Sequence, residues 1–100
     1  MSDSGDWVVP APAFEPAAAL VDLKRQLRAL RPLAERGAGF EIRGQRVIEL
    51  AAGAARIDAK LARRPARQTE WTAHALHSAP ELRRFVELVR KQLPLWDRDE

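Results

Sequence analysis

Seven prolines divide this chain of 100 residues, and their placement constrains the fold more than any other feature. Proline lacks a backbone N–H and its ring clashes with the carbonyl four residues back, so helix interiors and central strands avoid it. Pro10, Pro12 and Pro16 crowd the start, Pro32 and Pro65 bound a middle stretch, and Pro80 and Pro94 bracket an apolar-periodic segment. What lies between them reads as two helices around a set of short elements.

Met1 to Pro16 reads as a flexible, Pro-containing tail, in which the bulky triplet Trp7, Val8 and Val9 stands out. Such a triplet either docks on the domain or awaits a partner. Pro16 followed by three alanines opens a helix where a missing N–H costs nothing. Leu20, Leu23, Leu27, Leu30 and Ala34 then recur at steps of three and four, placing them on one face. Pro32 is expected to stop or kink that helix near Arg31, Leu33 to Arg36 can add a further turn, and Gly37 caps it.

The middle, Gly39 to Ser78, admits two readings. Phe40 and Ile42 alternate with Glu41 and Arg43, Ile48 and Leu50 with Val47 and Glu49, and Ile57, Ala59 and Leu61 with polar neighbours, which is the period of strands. Gly44 with Gln45 and Gly53 supply the turns, and Trp71, Ala73 and Ala75 offer a further strand. Arg46 to Arg63 also fits a helical face through Val47, Leu50, Ala51, Ala54, Ile57 and Leu61. The strand reading is favoured, because a mid-segment Gly costs a helix ~1 kcal/mol while it assists a turn.

Ser78, Ala79, Pro80 and Glu81 spell a capping box, with the Ser78 hydroxyl accepting from the Glu81 N–H and the Glu81 carboxylate returning to the Ser78 N–H. Leu82, Phe85, Val86, Val89 and Leu93 follow on one face, and Pro94 is expected to end the helix. The sum is one α+β domain over residues 17–96, a three-stranded antiparallel meander between two helices (α-β-β-β-α), with a charged end at 97–100. An all-α domain of three or four helices is the alternative. The α-β-β-β-α order is also the topology of double-stranded RNA binding domains. Those carry lysines at the start of the last helix, where this chain has Ser78 to Glu81, so no family is assigned.

The chemistry is sparse. The absence of cysteine excludes disulfides, thiol nucleophiles and thiolate metal sites. His74 and His77 share no acidic neighbour closer than Glu70 and Glu81, so no metal site is expected. Ser78 beside His77 lacks a nucleophile elbow, and its cap already explains it. Gly37 and Gly39 lack the third glycine of a dinucleotide fingerprint. No catalytic residue, cofactor or small-molecule substrate is therefore expected. Apolar stretches such as Ala17 to Val21 fall far below the ~18 residues of a membrane span, and Met1 to Asp6 lacks the positive start of a secretory signal. A cytoplasmic protein is expected, and fourteen Arg against three Lys suggests a GC-rich bacterial genome.

Two binding hypotheses remain. The formal charge is +3, with fourteen acids interspersed among the bases, so net charge alone says little about nucleic acid. The local concentration Lys60, Arg63, Arg64 and Arg67, near Trp71, is the candidate nucleic-acid site, able to hold phosphates and stack a base. The favoured reading is a nonenzymatic protein-interaction module, engaging a protein partner or a second copy of itself. Its candidate residues are Trp7, Val8 and Val9 before the tail prolines, and Leu95 and Trp96 after Pro94, where no regular element holds them.

Overall fold

The computed structural model describes residues 14–65 and 69–98. Helix α1 spans Pro16–Arg28 and is followed by strands β1 (Ala34–Arg36), β2 (Gly39–Ile42), β3 (Gln45–Ala52), β4 (Ile57–Ala62) and β5 (Trp71–Leu76); helix α2 (Ala79–Arg98) closes the chain. The strands form one antiparallel sheet in the order β1-β2-β3-β4-β5. The α+β class is as expected, the strand count is five rather than three, and the all-α alternative falls.

Pro16 stands in the first turn of α1, and Arg25 and Arg28 lie in its last turn, where cations complement the helix dipole. The helix stops one turn before the expected end at Arg31. The Leu30 N–H reaches back to the Leu27 carbonyl (2.9 Å) and the Leu33 N–H to the Leu30 carbonyl (3.0 Å), tightening the chain so that Leu33 drops into the core. Leu33 to Arg36 is therefore not a helical turn. Residues 34–36 pair with 39–41 as the first hairpin, and Gly37 serves it with φ of 57°. The next turn uses Arg43 and Gly44, at φ of 52° and 80°, rather than Gly44 and Gln45. Two successive left-handed residues match the twist of a two-residue hairpin.

Alternation along β3 breaks where Phe40 pairs with Ile48 but Glu41 pairs with Arg46, leaving Val47 as the extra residue of a bulge. Val47 and Ile48 are consequently both fully buried, although simple alternation would have sent Val47 to the polar face. In β4 the expected pattern holds, with Ile57, Ala59 and Leu61 buried and Asp58 and Lys60 exposed.

Both helices cover one face of the sheet. Leu23 and Leu27 of α1 and Leu82, Phe85, Val86 and Val89 of α2 meet Phe40, Ile48, Leu50, Ile57, Leu61 and Leu76 in one core. Glu35, opposite Phe40 in register, confirms that geometry by reaching Arg28 (2.8 Å) and Lys24 (3.9 Å) on α1. The other face exposes Ala51, Asp58, Lys60, Ala73 and Ala75.

Pro94 does not end α2, which continues through Leu95 and Trp96. Among the described residues the largest fully buried side chain is Trp96, whose indole Nε1 donates to the Arg63 carbonyl at 3.2 Å. The Gln92 amide donates to the same carbonyl (3.3 Å), and the Arg43 guanidinium donates to the Trp96 carbonyl (3.2 Å). The last turn of α2 is thus bolted to the end of β4 and to the β2–β3 turn.

Candidate functional site

The N-terminus of α2 occupies the serine and histidine that most nearly suggest chemistry. The Ser78 hydroxyl accepts from the Glu81 N–H at 3.3 Å, as expected. The Glu81 carboxylate, however, accepts from the N–H of His77 (2.6 Å), not that of Ser78, and lies 3.4 Å from the His77 imidazole. The hydrogen bond from the His77 N–H is the largest influence and holds the Glu81 carboxyl below the usual glutamate range; desolvation, the next largest, opposes it, and the His77 side chain and the Arg84 charge lower it further. A carboxyl lowered by folding stabilises above its unfolded pKa, and that contribution is lost as pH falls through the lowered folded value. Ser78→Ala should cost about 0.5–2 kcal/mol in urea unfolding at neutral pH. Glu81→Gln should flatten the dependence of stability on pH in the acid range; an unchanged acid limb would show that the carboxylate is not engaged.

His74 and His77 are not brought together. His77 belongs to the cap, whereas His74 lies in β5, half-buried, its ring edge-on to Phe85 with centroids 5.5 Å apart. The His74 Nε2 is buried without a hydrogen-bond partner among the described residues.

Of the residues nominated for partner binding, Trp7, Val8 and Val9 lie outside the described residues. Leu95 is exposed, but Trp96 is 0% exposed and belongs to the core. The premise that no regular element holds them is corrected by the continuation of α2, and Trp96 is unavailable to a partner. Of the nominated nucleic-acid residues, Arg67 lies outside the described residues. Arg63 and Arg64 are exposed at the end of β4, with Arg63 3.6 Å from Glu70. Lys60 sits on the uncovered sheet face opposite Glu49 and beside Asp58 in β4, so that face carries both signs. Trp71 is half-buried against the core, opposite Ala62.

Sequence reasoning missed the outer edge of β5, which no strand among the described residues pairs with. The Arg63 N–H donates to the Glu70 carbonyl at 3.0 Å, in the same register that sets Leu61 opposite Thr72, Ala59 opposite His74 and Ile57 opposite Leu76. Directly opposed antiparallel pairs alternate between bonded and non-bonded. Thr72, His74 and Leu76 therefore turn their peptide groups toward β4, while Trp71, Ala73 and Ala75 turn theirs outward. The strand expected at Trp71, Ala73 and Ala75 is present, and its register sets Thr72, His74 and Leu76 on the side of Leu61, Ala59 and Ile57 that faces the helices.

The two sheet edges differ. Strand β1 has three residues, two of them charged, and Glu35 on the helix side, which are devices that discourage pairing. Strand β5 has six residues, Trp-Thr-Ala-His-Ala-Leu, with no Lys, Arg, Asp, Glu, Pro or Gly. Beside it runs a groove of about 370 Å³ between β5 and α2, walled by Glu81, Arg84, Phe85 and Leu88, the last 38% exposed. A larger groove of about 800 Å³ lies between the N-terminal halves of α1 and α2, floored by Ala18, Ala19, Pro80 and Leu82.

Among the described residues, a five-stranded meander with two helices on one face, one edge strand short and charged and the other long and uncharged, is the class of structure that these observations define. A scan against protein-family models gave no match, and searches of curated proteins and of solved structures gave none either.

Proposed function

We propose that this chain is a nonenzymatic protein-interaction module that takes up its partner by strand addition at the β5 edge. The observation that carries this reading is the set of outward peptide groups at Trp71, Ala73 and Ala75, on a strand with no charge or proline to repel another chain. Main-chain hydrogen bonds supply affinity in such complexes, and neighbouring pockets supply selectivity. The groove walled by Phe85 and Leu88 is placed to do the second. Ser78 and His77 are engaged in the cap of α2, which fits a binding rather than a catalytic role. A cytoplasmic location is part of the proposal: a packed core rather than disulfides holds the fold, and no described helix is long and apolar enough to cross a membrane.

A photo-crosslinking side chain placed at Ala75 or Leu88 in cells should give protein adducts, and the same group at Val21, exposed on α1, should not. Ala73→Pro removes an outward N–H without touching the β4–β5 ladder and should abolish both adducts at an unchanged melting temperature. Adducts that are equal at all three positions, or that survive Ala73→Pro, overturn the proposal. Binding to duplex DNA that weakens steeply with salt, ~0.9 in log–log slope per phosphate contacted, and that is lost in Arg63→Ala with Arg64→Ala, would put the nucleic-acid reading in its place.

A further inference from the structure

We infer that the occupant of the β5 edge is β5 of a second copy of this chain, paired antiparallel about a two-fold axis at Ala73. This rests on the strand-addition reading and gives it a partner and a register.

Hydrogen-bond parity selects the register. In an antiparallel pair, residues that turn their peptide groups toward the partner must stand opposite residues that do the same. The outward residues are Trp71, Ala73 and Ala75, since the others bond to β4. Ala73 opposite Ala73 of the second copy, with Trp71 opposite Ala75 on either side, uses every one of these N–H and C=O groups. A register shifted toward the C-terminus, centred on His74, sets Trp71 opposite His77, whose N–H is already committed to the Glu81 carboxylate at 2.6 Å. A register shifted toward the N-terminus, centred on Thr72, leaves Ala75 opposite Thr69, outside the strand. Self-pairing about Ala73 is the one arrangement of the three that satisfies the whole edge.

The side chains agree. On the uncovered face each Trp71 meets an Ala75, large against small, and no charge of one strand meets a charge of the other. On the helix side Thr72 stands opposite His74 of the second copy as a non-bonded pair, where Cα atoms approach to about 4.5 Å and side chains are closest. The two-fold axis is perpendicular to the sheet, so both α2 helices stay on one side and the two grooves beside β5 meet, with Leu88 of each copy on the shared wall. The contact is isologous and consumes the outer edge of β5, so assembly closes at two.

Single cysteines test register and partner together, because the chain has none of its own. Residues directly opposite on bonded antiparallel pairs have Cα atoms about 5.5 Å apart, within disulfide reach. Ala73→Cys should therefore link two copies under mild oxidation, whereas Ala75→Cys, roughly four residues of strand from its own counterpart, should not. Equilibrium ultracentrifugation of the unmodified chain should give twice the 11.2 kDa monomer mass, and Ala73→Pro should return it to the monomer. Equal linkage by both cysteines, a dimer indifferent to Ala73→Pro, or growth beyond two copies overturns the inference. A monomeric chain that still gives adducts to another protein at Ala75 and Leu88 overturns self-pairing and leaves strand addition standing; absence of both removes the two together.

Discussion

Trp96→Ala should lower stability by about 3–5 kcal/mol, the range for emptying a large aromatic site in a core. In a domain of this size each kcal/mol moves the melting midpoint by roughly 4–8 °C, so the midpoint should fall by at least roughly 12 °C. The loss has two parts. Among the described residues the indole is the largest fully buried side chain, and its Nε1 satisfies the Arg63 carbonyl. Trp96→Phe separates them, since it keeps most of the apolar surface and removes only the donor; about 1–2 kcal/mol is expected, because the Gln92 amide still reaches the same carbonyl. Thermal melts followed by circular dichroism distinguish the outcomes, and a midpoint for the alanine variant within ~2 °C of the parent would remove Trp96 from the core.

The second large effect lies at Gly39. A Cβ built there runs into the carbonyl oxygen of Ile48 and meets the guanidinium of Arg46. The guanidinium can swing aside. The carbonyl cannot, because it belongs to the β3 backbone that pairs with Phe40 and, through Leu61, with β4. Gly39→Ala should thus cost at least about 2 kcal/mol, in the upper part of the range for overpacking. Gly37→Ala is the contrasting case: φ is 57°, but nothing lies within 4 Å of the added carbon, so only the left-handed penalty of ~1 kcal/mol applies. Urea midpoints for the two variants should fall in that order, and a Gly39→Ala protein as stable as Gly37→Ala would contradict the close approach of β2 to β3.

The two helices were legible because their signals are local. Ser78, Pro80 and Glu81 mark a helix start whatever surrounds it, and Leu23 with Leu27 mark a buried face at helical spacing. Pro94 misled because its effect depends on position. It removes one N–H from the last turns of a 20-residue helix, and the burial of Trp96 just beyond it compensates. Strand β1 was not legible, since Leu33 to Arg36 has no strand-like alternation and owes its form to pairing with β2. Val47 and Ile48 could not both be assigned to the core from a period of two, because the bulge that buries them belongs to the pair of strands rather than to either. The candidate site was illegible for a related reason. Nothing in Trp-Thr-Ala-His-Ala-Leu states that this strand lies at an edge, and which of its peptide groups point outward follows only from its register with β4.

The strands lie side by side in the order in which they occur along the chain. Each pairing step therefore joins neighbours in sequence and closes a modest loop, so the entropy of assembly is paid in small instalments. The exceptions are the contacts of the last helix: Arg43 reaches Trp96 across 53 positions, and Trp96 reaches Arg63 across 33. Those are the costly closures, and they become favourable only when the sheet is already there to receive the indole. The sheet is in this sense a zipper, and the final turn of α2 is the clasp that holds it shut.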